Sequence, residues 1–411
     1  MQQAGARFRF PVVGGALLLL LALVFCVAGK DPAGVSPDWV RGVDLSSYWV
    51  GGNILADGDD DQLYMRARSK AELKALFPPK PPFYPVAYPP PIYQLMALPQ
   101  PEVPYAVAVR VLLMGLATLH LVGARWVVKA APDLGRWRDV TLAAAFVCPG
   151  AVSVVVSGQL AGMWVTFLGG ALLLRARGKP LLGGMVAAGL WMKPTLAVPL
   201  FFAFAVLGEG AAAGGMVLGG AVILALSLAA GGWVAWEKYI ELMLAPGKVI
   251  DSMFSHIDRH LTLRALFAGF VPKALWGPVG WTGLGIGVVG TVVLAWLGRG
   301  IRDPMLAALR FGVVFTAANL ASPHLYEYDA GMHLPATVAS VAWLASGRAL
   351  RPRLGLALTV AAYFAGLIVL ADKALGFNAA TLLVTVWVGW MGWEMVKAGR
   401  GEVGAGAEAE A

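Results

Sequence analysis

Long apolar runs separated by short polar stretches make up most of the 411-residue chain. A helix needs about 20 mostly apolar residues to cross the hydrocarbon core of a bilayer. The ten runs that could span a membrane lie at residues 11–29, 103–123, 140–156, 160–174, 211–230, 276–297, 304–321, 330–346, 354–371 and 376–396. The pattern predicts an all-α polytopic membrane protein, with one integral-membrane domain over residues 1–396 and a disordered cytoplasmic tail over residues 397–411.

One apolar segment departs from this pattern. Residues 180–207 are interrupted by Lys193-Pro194, and proline breaks helices. If the segment formed a single span, every later basic cluster would fall on the wrong side of the membrane. We therefore predict a re-entrant pair of short helices with Lys193 near its tip, since non-helical backbone at membrane depth is tolerated beside protein or water.

The basic residues indicate the orientation of the chain. Lysine and arginine cluster in alternate connectors, whereas the short opposite connectors at 157–159, 322–329 and 372–375 carry a single lysine. Because cytoplasmic loops of membrane proteins are enriched in these residues, we predict that both termini are cytoplasmic. Two long segments, 30–102 and 231–275, then face outward. The net charge of +8 is largely an orientation signal.

The composition fits a membrane protein and no other large class. The chain is 58% hydrophobic and 14% charged, whereas soluble domains are about 45–50% apolar and about 25% charged. A soluble enzyme, a nucleic-acid-binding module and a fibrous protein are therefore close to excluded. The two cysteines, Cys26 and Cys148, lie inside apolar runs and indicate no disulfide framework.

The first outward segment carries a candidate catalytic carboxylate. Asp44 opens the sequence DLSSYWVGG, and on a helix it shares a face with Tyr48. Such a helix along the membrane surface would place Asp44 beside a membrane-anchored headgroup. The alternative is a helix N-cap, a position that aspartate favours.

The same segment also contains an acidic cluster, Asp57 and Asp59–Asp61. A cluster of this kind is typical of a solvated turn. Adjacent carboxylates could hold a divalent metal, but no other part of the sequence supplies convergent ligands. We therefore predict no cofactor and no metal site.

The connector SPHLYEYDAG, residues 322–331, is dense in polar groups at the predicted outer boundary of the membrane. It contains His324, Tyr328 and Asp329. Polar groups at this depth are costly unless they face a cavity, so the connector is a candidate substrate site. Interfacial anchoring by tyrosine and by snorkelling charges is the alternative.

Three further polar residues are candidates for function. Lys193 is one because a lysine at membrane depth is costly, although it could also snorkel from a shallow loop. Gln159 follows Ser157-Gly158 and could bind a sugar hydroxyl, or it could belong to a plain turn. Arg264 precedes an apolar stretch and could contact phosphate, although a solvated amphipathic helix fits equally well.

Several short motifs follow one another in a recognisable order. They are DLSSYWVGG in the first outward segment, YPP before an apolar run, SGQ between short spans, KP inside an apolar stretch, and SPH followed by YDAGMHLPA. This order resembles glycosyltransferase family 87 of the GT-C superfamily. That family includes the polyprenol-phosphate-mannose-dependent mannosyltransferases of mycobacterial phosphatidylinositol mannoside synthesis. The resemblance runs from about residue 11 to about residue 346.

The resemblance implies a GT-C-like fold and a membrane hexosyltransferase. Such enzymes move a hexose such as mannose, or a pentose, from a polyprenyl-phosphate donor to a lipid or glycan acceptor, usually with inversion, at the outer face of the bacterial inner membrane. The family's catalytic aspartate maps onto Asp44, its KP motif onto Lys193-Pro194 and its late SP motif onto Ser322-Pro323. Residues 260–263 read His-Leu-Thr-Leu where the family often has Asn or Gln before Ser-Leu, a departure that bears on the acceptor contacts.

The chemistry of an inverting transfer assigns roles to these residues. One base must take the proton of the acceptor hydroxyl, and cations must stabilise the leaving phosphate. We predict Asp44 as the base. The predicted phosphate ligands are Lys193, His324 and Arg264. The predicted substrate-binding residues are Tyr48, Gln159, Tyr328 and Asp329.

A secondary transporter is the competing hypothesis. Its midplane site would lie at the helix break of Lys193-Pro194, since discontinuous helices often build such sites. The absence of internal repeats and the long Pro- and Tyr-rich segment after the first span disfavour it. A non-catalytic scaffold protein is disfavoured by the polar outward connectors. The predicted partners are thus a lipid-linked sugar, its acceptor and membrane lipids, with no nucleic acid.

Overall fold

The computed structural model describes residues 9–28, 44–76, 87–244, 260–375 and 377–400. Within these ranges the chain is helical, and a single β-bridge joins His260 to Tyr326. The first helices are α1 (Arg9–Ala28), α2 (Leu45–Ala56), α3 (Arg66–Leu76), α4 (Pro90–Ala97), α5 (Tyr105–Ala130), α6 (Arg138–Phe146), α7 (Pro149–Ser157), α8 (Ala161–Ala176), α9 (Pro180–Ala187) and α10 (Pro194–Val206). The later helices are α11 (Gly210–Ala229), α12 (Trp233–Leu244), α13 (Leu263–Ala268), α14 (Trp276–Leu297), α15 (Pro304–Leu320), α16 (Leu334–Ala345), α17 (Pro352–Tyr363), α18 (Ala365–Leu375) and α19 (Ala379–Gly399).

Many of these helices are apolar enough for a membrane. Among the described residues, five helical stretches are also long enough to cross one: Tyr105–Ala130, Gly135–Val156, Gly210–Ala229, Lys273–Leu297 and Ala379–Gly399. Shorter apolar helices lie at Phe10–Val24, Ala161–Ala176, Pro180–Met192, Pro194–Val206 and Pro304–Leu320. The prediction of an all-α polytopic membrane protein is confirmed at this level. The number of spans, the domain bounds and the orientation stay predictions.

Two of the predicted spans each consist of two helices. In the span predicted at 140–156, α6 ends at Phe146 and α7 begins at Pro149, because proline has no N–H with which to continue a helix. In the span predicted at 354–371, the chain breaks between α17 and α18, next to Gly366. A Cβ added at Gly366 would lie 3.1 Å from the carbonyl oxygen of Glu327. The absent side chain therefore lets α18 pack against the 322–331 connector.

Glycines set how closely the helices of the bundle approach one another. A Cβ added at Gly162 of α8 would lie 2.1 Å from the carbonyl oxygen of Leu116 on α5. Two turns further along α8, a Cβ at Gly169 would lie 2.3 Å from the carbonyl oxygen of Gly123. Small residues at such positions allow backbones to touch, as is common between membrane helices. The contact fixes α8 and the turn that precedes it, which carries Gln159.

In the first outward segment, α2 packs on α4 through its glycine pair. A Cβ at Gly51 would lie 2.2 Å from Cδ1 of Tyr93. Tyr93 is fully buried, and its hydroxyl accepts the backbone N–H groups of Ala87 at 3.0 Å and Tyr88 at 2.8 Å. The ring therefore cannot move without losing these bonds. The glycine of the DLSSYWVGG motif thus holds α2, and the residue that precedes it, in place.

Gly51→Ala is expected to destabilise the protein and to lower its activity, because the added methyl group overpacks the Tyr93 ring. Overpacking of a well-packed core costs about 1–3 kcal/mol. The matched control is Gly115→Ala in α5, where an added Cβ would meet nothing within 4 Å. Thermal denaturation of the purified proteins checks this, and a Gly51→Ala protein that melts with the wild type would refute the packing argument.

Candidate functional site

Lys193 lies between two short helical segments, the 3-10 turn Ala188–Met192 that follows α9 and the helix α10. Its Nζ lies 2.6 Å from Oδ1 and 2.8 Å from Oδ2 of Asp329. The two residues are 4% and 1% exposed. Nζ also lies 4.8 Å from the centroid of the Tyr328 ring. The lysine is thus held by a buried carboxylate and a tyrosine of the 322–331 connector.

A second set of contacts fixes the same connector to the Lys193-Pro194 break. The hydroxyl of Ser322 donates to the carbonyl oxygen of Thr195 at 3.0 Å. Asp329 accepts the backbone N–H of Tyr326 on Oδ2 at 3.2 Å, besides the two contacts from Lys193. The Asp329 carboxylate is therefore engaged on both oxygens. This geometry suits a residue that positions Lys193 and the connector.

The connector also lies beside the start of the segment that leads into α13. The backbone N–H of Leu261 donates to the carbonyl oxygen of Leu325 at 2.7 Å. The rings of His260, His324 and Tyr326 meet edge to face, with centroids 4.4–4.7 Å apart. Edge-to-face packing at this distance is favourable for aromatic rings. Two imidazoles are therefore held side by side at the connector.

Arg264 brings a further cation to this side of the site. Thr262 caps α13 by accepting the backbone N–H of Ala265 at 3.2 Å. Arg264, in the first turn of that helix, donates from Nη1 to the carbonyl oxygen of Pro323 at 3.3 Å. Pro323 immediately precedes His324. The guanidinium is buried, so its charge is little screened by water.

His324 lies among other basic side chains. Burial, and then the charges of His260, Lys193 and Arg264, hold the pKa of the His324 imidazole well below its usual range. Its Nδ1 is buried and has no hydrogen-bond partner among the described residues. Lys193 and Arg264 are the charged members of this group, which forms the cationic side of the site, and the His324 imidazole contributes to it as a neutral hydrogen-bonding group. A group of this kind can attract an anion the size of a phosphate.

Asp44 immediately precedes α2 on the other side of the site. Its carbonyl oxygen accepts the backbone N–H groups of Ser47 at 3.0 Å and Tyr48 at 3.2 Å. Within the described chain its carboxylate makes no capping hydrogen bond to the helix. The Asp44 backbone carbonyl therefore accepts N–H groups at the helix start, a role that the N-cap interpretation assigned to the Asp44 carboxylate. The carboxylate is not needed to start α2.

Tyr48 connects Asp44's helix with the turn that contains Gln159. The Tyr48 hydroxyl donates to Oε1 of Gln159 at 3.3 Å, and both residues are buried. The Tyr48 ring lies edge to face with Tyr88, with centroids 5.0 Å apart. Gln159 itself follows Gly158, which ends α7 in the left-handed conformation with φ 62°. Glycine suits this turn because, without a Cβ, it adopts that conformation at no steric cost.

Tyr88 joins the two sides of the site. Burial, and then the charges of Asp329 and Asp44, hold the pKa of Tyr88 well above its usual value. Burial, and then Tyr88, Asp44 and Asp329, likewise raise the pKa of Tyr328. Both tyrosines therefore stay neutral phenols, and both lie within the electrostatic reach of Asp44 and Asp329. The charge of Asp44 therefore acts on Tyr328 of the 322–331 connector.

The backbone of Tyr88 is held from two directions. Its carbonyl oxygen accepts the Tyr64 hydroxyl at 2.8 Å, and its N–H donates to the Tyr93 hydroxyl at 2.8 Å. The sequence prediction missed Tyr88 as a site residue, although it lies in the Pro- and Tyr-rich run. Tyr88 opens the YPP motif that supports the family resemblance, but that motif alone assigns the tyrosine no role in the site.

Two carboxylates of the acidic cluster in the first outward segment form ion pairs. Arg68 of α3 lies 2.6 Å from Asp57 and 3.1 Å from Asp59, and it also pairs with Glu72. The expected solvated turn is thus tied to α3 by one arginine. In the part of the chain that the structure describes, no group of three or more His, Cys, Asp or Glu side chains could hold a metal ion.

The predicted site residues all fall within the described ranges, and their contacts connect them into one region. They are Asp44, Tyr48, Gln159, Lys193, Arg264, His324, Tyr328 and Asp329. Other parts of the two outward segments, at 29–43, 77–86 and 245–259, lie outside the described residues, as does the tail at 401–411. The roles assigned to the eight residues stay predictions.

Comparison with known protein families identifies a match. The model of glycosyltransferase family 87 matches residues 87–323, more than half of the chain. No curated protein and no solved structure matches. The matched range contains Tyr88, Gln159, Lys193 and Arg264 and ends at Pro323. It does not extend to Asp44.

Proposed function

The chain belongs to glycosyltransferase family 87 of the GT-C superfamily, and from this premise we propose the reaction that it catalyses. As a member of that family it is a membrane glycosyltransferase. The proposed reaction moves a mannose-like hexose or a pentose from a polyprenyl-phosphate donor to a lipid or glycan acceptor, with inversion at the anomeric carbon. The active site would face the periplasm or cell exterior, at the outer face of a bacterial inner membrane.

The observation that carries this proposal is the convergence of opposite charges on the 322–331 connector. Asp44 lies at the start of α2, the helix whose Tyr48 contacts Gln159 and Tyr88, and its charge acts on Tyr88 and Tyr328. Arg264 reaches it from α13 through Pro323. A carboxylate on one side and a cation on the other suit an inverting transfer from a phosphate, because a proton must leave the acceptor as the phosphate departs.

In this mechanism Asp44 is the base that accepts the proton of the acceptor hydroxyl. The oxygen of that hydroxyl forms the new bond to the anomeric carbon, and the bond from that carbon to the phosphate oxygen breaks. The electron pair stays on the phosphate, which His324 and Arg264 would bind. Basic side chains suffice without a metal or other cofactor, since a polyprenyl phosphate is only singly esterified.

Lys193 takes a more limited part in this mechanism than the sequence suggested. Asp329 holds its Nζ on both carboxylate oxygens, so its charge is already compensated. We therefore assign the main phosphate contacts to His324 and Arg264. Lys193 would keep the connector in place and add a smaller contribution. Tyr48, Gln159 and Tyr328 would bind substrate hydroxyls from the other side.

The experiment that tests this function uses purified protein in proteoliposomes. It is incubated with a panel of polyprenyl-phosphate sugars and with extracted cell-envelope lipids, and the products are analysed by mass spectrometry. We expect one class of donor to yield an acceptor that is heavier by one sugar residue. If every donor stays intact while lipid extracts are present, the proposed reaction is wrong.

A secondary transporter remains the alternative, and the helix break at Lys193 is the observation that favours it. The same proteoliposomes separate the two functions. Uptake of a radiolabelled solute without any lipid-linked sugar, together with an absence of glycosylated product, would favour the transporter.

A further inference from the structure

An aromatic surface lies near the start of α14, outside the site described above. Trp281, in the second turn of this helix, is 52% exposed. Phe270 and Leu275, which lie just before the helix, are also exposed. Tryptophan and other aromatic residues are enriched where a membrane meets water. In the predicted orientation this surface lies at the outer boundary of the membrane.

Arg264 connects this surface with the cationic side of the site. Its guanidinium carbon lies 5.3 Å from the centroid of the Trp281 ring. Its Nη1 donates to the carbonyl oxygen of Pro323, the residue before His324. One buried side chain therefore reaches from an exposed indole to the connector. An arginine stacked on an aromatic ring is attracted to it and is also well suited to bind phosphate.

Two glycines of α14 make room for this arrangement. A Cβ added at Gly280 would lie 2.9 Å from Cγ of Arg264, and one at Gly283 would lie 2.7 Å from the carbonyl oxygen of Leu263. The helix α13 therefore packs directly on the α14 backbone. Arg264 passes over α14 at the place where no side chain blocks it.

We propose that the polyprenyl tail of the donor packs on Trp281 while Arg264 binds the phosphate at the head of that tail. This proposal rests on the proposed function and adds where the donor lipid lies. An occupant that suits this place combines an anionic group with a long apolar chain joined to it. Arg264 offers the charge and Trp281 the apolar surface, and, unlike Arg299 on Trp296, Arg264 also contacts the connector. A polyprenyl phosphate has this composition, and its tail would extend into the membrane beside α14.

Photo-crosslinking tests the position of the tail without depending on turnover. A benzophenone amino acid replaces Trp281 in the full chain, which is placed in nanodiscs with a radiolabelled polyprenyl phosphate. The matched control carries the benzophenone amino acid in place of Trp296. This residue is 55% exposed on the same helix but lies about 22 Å further along that helix. A second control carries it at Val107, an exposed residue in the first turn of α5.

We expect labelling at position 281 that excess unlabelled polyprenyl phosphate removes, and much weaker labelling at the two control positions. Equal labelling at all three positions would overturn the proposal. A second outcome would also overturn it. If unlabelled phospholipid removed the labelling at position 281 and unlabelled polyprenyl phosphate did not, the surface would bind ordinary membrane lipid.

A kinetic experiment separates this inference from the proposed function. The wild type, Trp281→Ala and Trp296→Ala are each assayed with two donors. The donors carry the same sugar and phosphate, one on a long prenyl chain and the other on a short one. We expect Trp281→Ala to raise KM for the long-chain donor about tenfold, which corresponds to about 1.4 kcal/mol, while kcat and the short-chain KM stay unchanged. An equal KM for the long-chain donor in all three proteins would overturn the tail position. A wild-type protein that transfers sugar from neither donor would count against the proposed function, and the crosslinking result would still decide whether the tail lies on Trp281.

Discussion

Asp44→Asn is expected to abolish most of the sugar transfer while leaving the protein folded. A positioned general base contributes about 10²- to 10⁴-fold to the rate of a reaction of this kind, and asparagine cannot accept the proton. The helix start should survive because the Asp44 carbonyl oxygen, and not its carboxylate, accepts the N–H groups of Ser47 and Tyr48. The measurement is the initial rate of product formation at saturating donor and acceptor.

The matched control for this variant is Asp61→Asn, which removes an exposed carboxylate from the same outward segment. It should transfer sugar at the wild-type rate. Both variants should melt at the wild-type temperature. If Asp44→Asn kept the wild-type rate, Asp44 would not be the base, and the proposed mechanism would need another proton acceptor.

Breaking the Lys193–Asp329 pair is expected to destabilise the protein strongly. Both groups are buried, so removal of one partner leaves an uncompensated charge and costs about 3–5 kcal/mol. Lys193→Met and Asp329→Asn should each lower the free energy of unfolding by this amount. The double variant should recover most of it, because a buried pair replaced by uncharged groups is often neutral in stability. The amide oxygen that Asp329→Asn introduces would also still accept the Tyr326 N–H.

A double-mutant cycle in thermal denaturation measures this coupling. The control is the exposed pair of Lys238 and Glu241, 2.9 Å apart on α12, where removal of one partner should cost at most about 1 kcal/mol. Activity adds a second measurement. A double variant that folds but stays inactive would mean that Lys193 or Asp329 also serves the reaction. A double variant with full activity would show that the Lys193–Asp329 pair has only a structural role.

The pattern of apolar residues predicts much of this fold. Apolar runs locate the long helices because only a helix satisfies its backbone inside a membrane. The break at Lys193-Pro194 was also predictable, because proline cannot continue a helix. The break between α17 and α18 was not. Next to that break Gly366 approaches the connector, which is a tertiary contact that the local sequence does not reveal.

The residues of the candidate site could be predicted from local sequence, whereas the contacts between them depend on the tertiary structure. Asp44, Lys193 and the 322–331 connector stand out because polar residues at a membrane boundary are rare and costly. The sequence did not predict that Asp329 holds Lys193, because the two residues lie 136 positions apart and meet only when α10 packs beside the connector. The family resemblance noted from the motifs is confirmed over residues 87–323.

The most direct test of the proposed function is a stoichiometry measured on the purified wild-type protein. The assay supplies a polyprenyl-phosphate sugar and acceptor lipid, and it quantifies free polyprenyl phosphate and glycosylated acceptor over time. We predict that the two products appear in equal amounts and that a nucleotide sugar supplied instead yields neither. Glycosylated acceptor formed from the nucleotide sugar alone, with the polyprenyl-phosphate sugar left intact, would contradict this prediction.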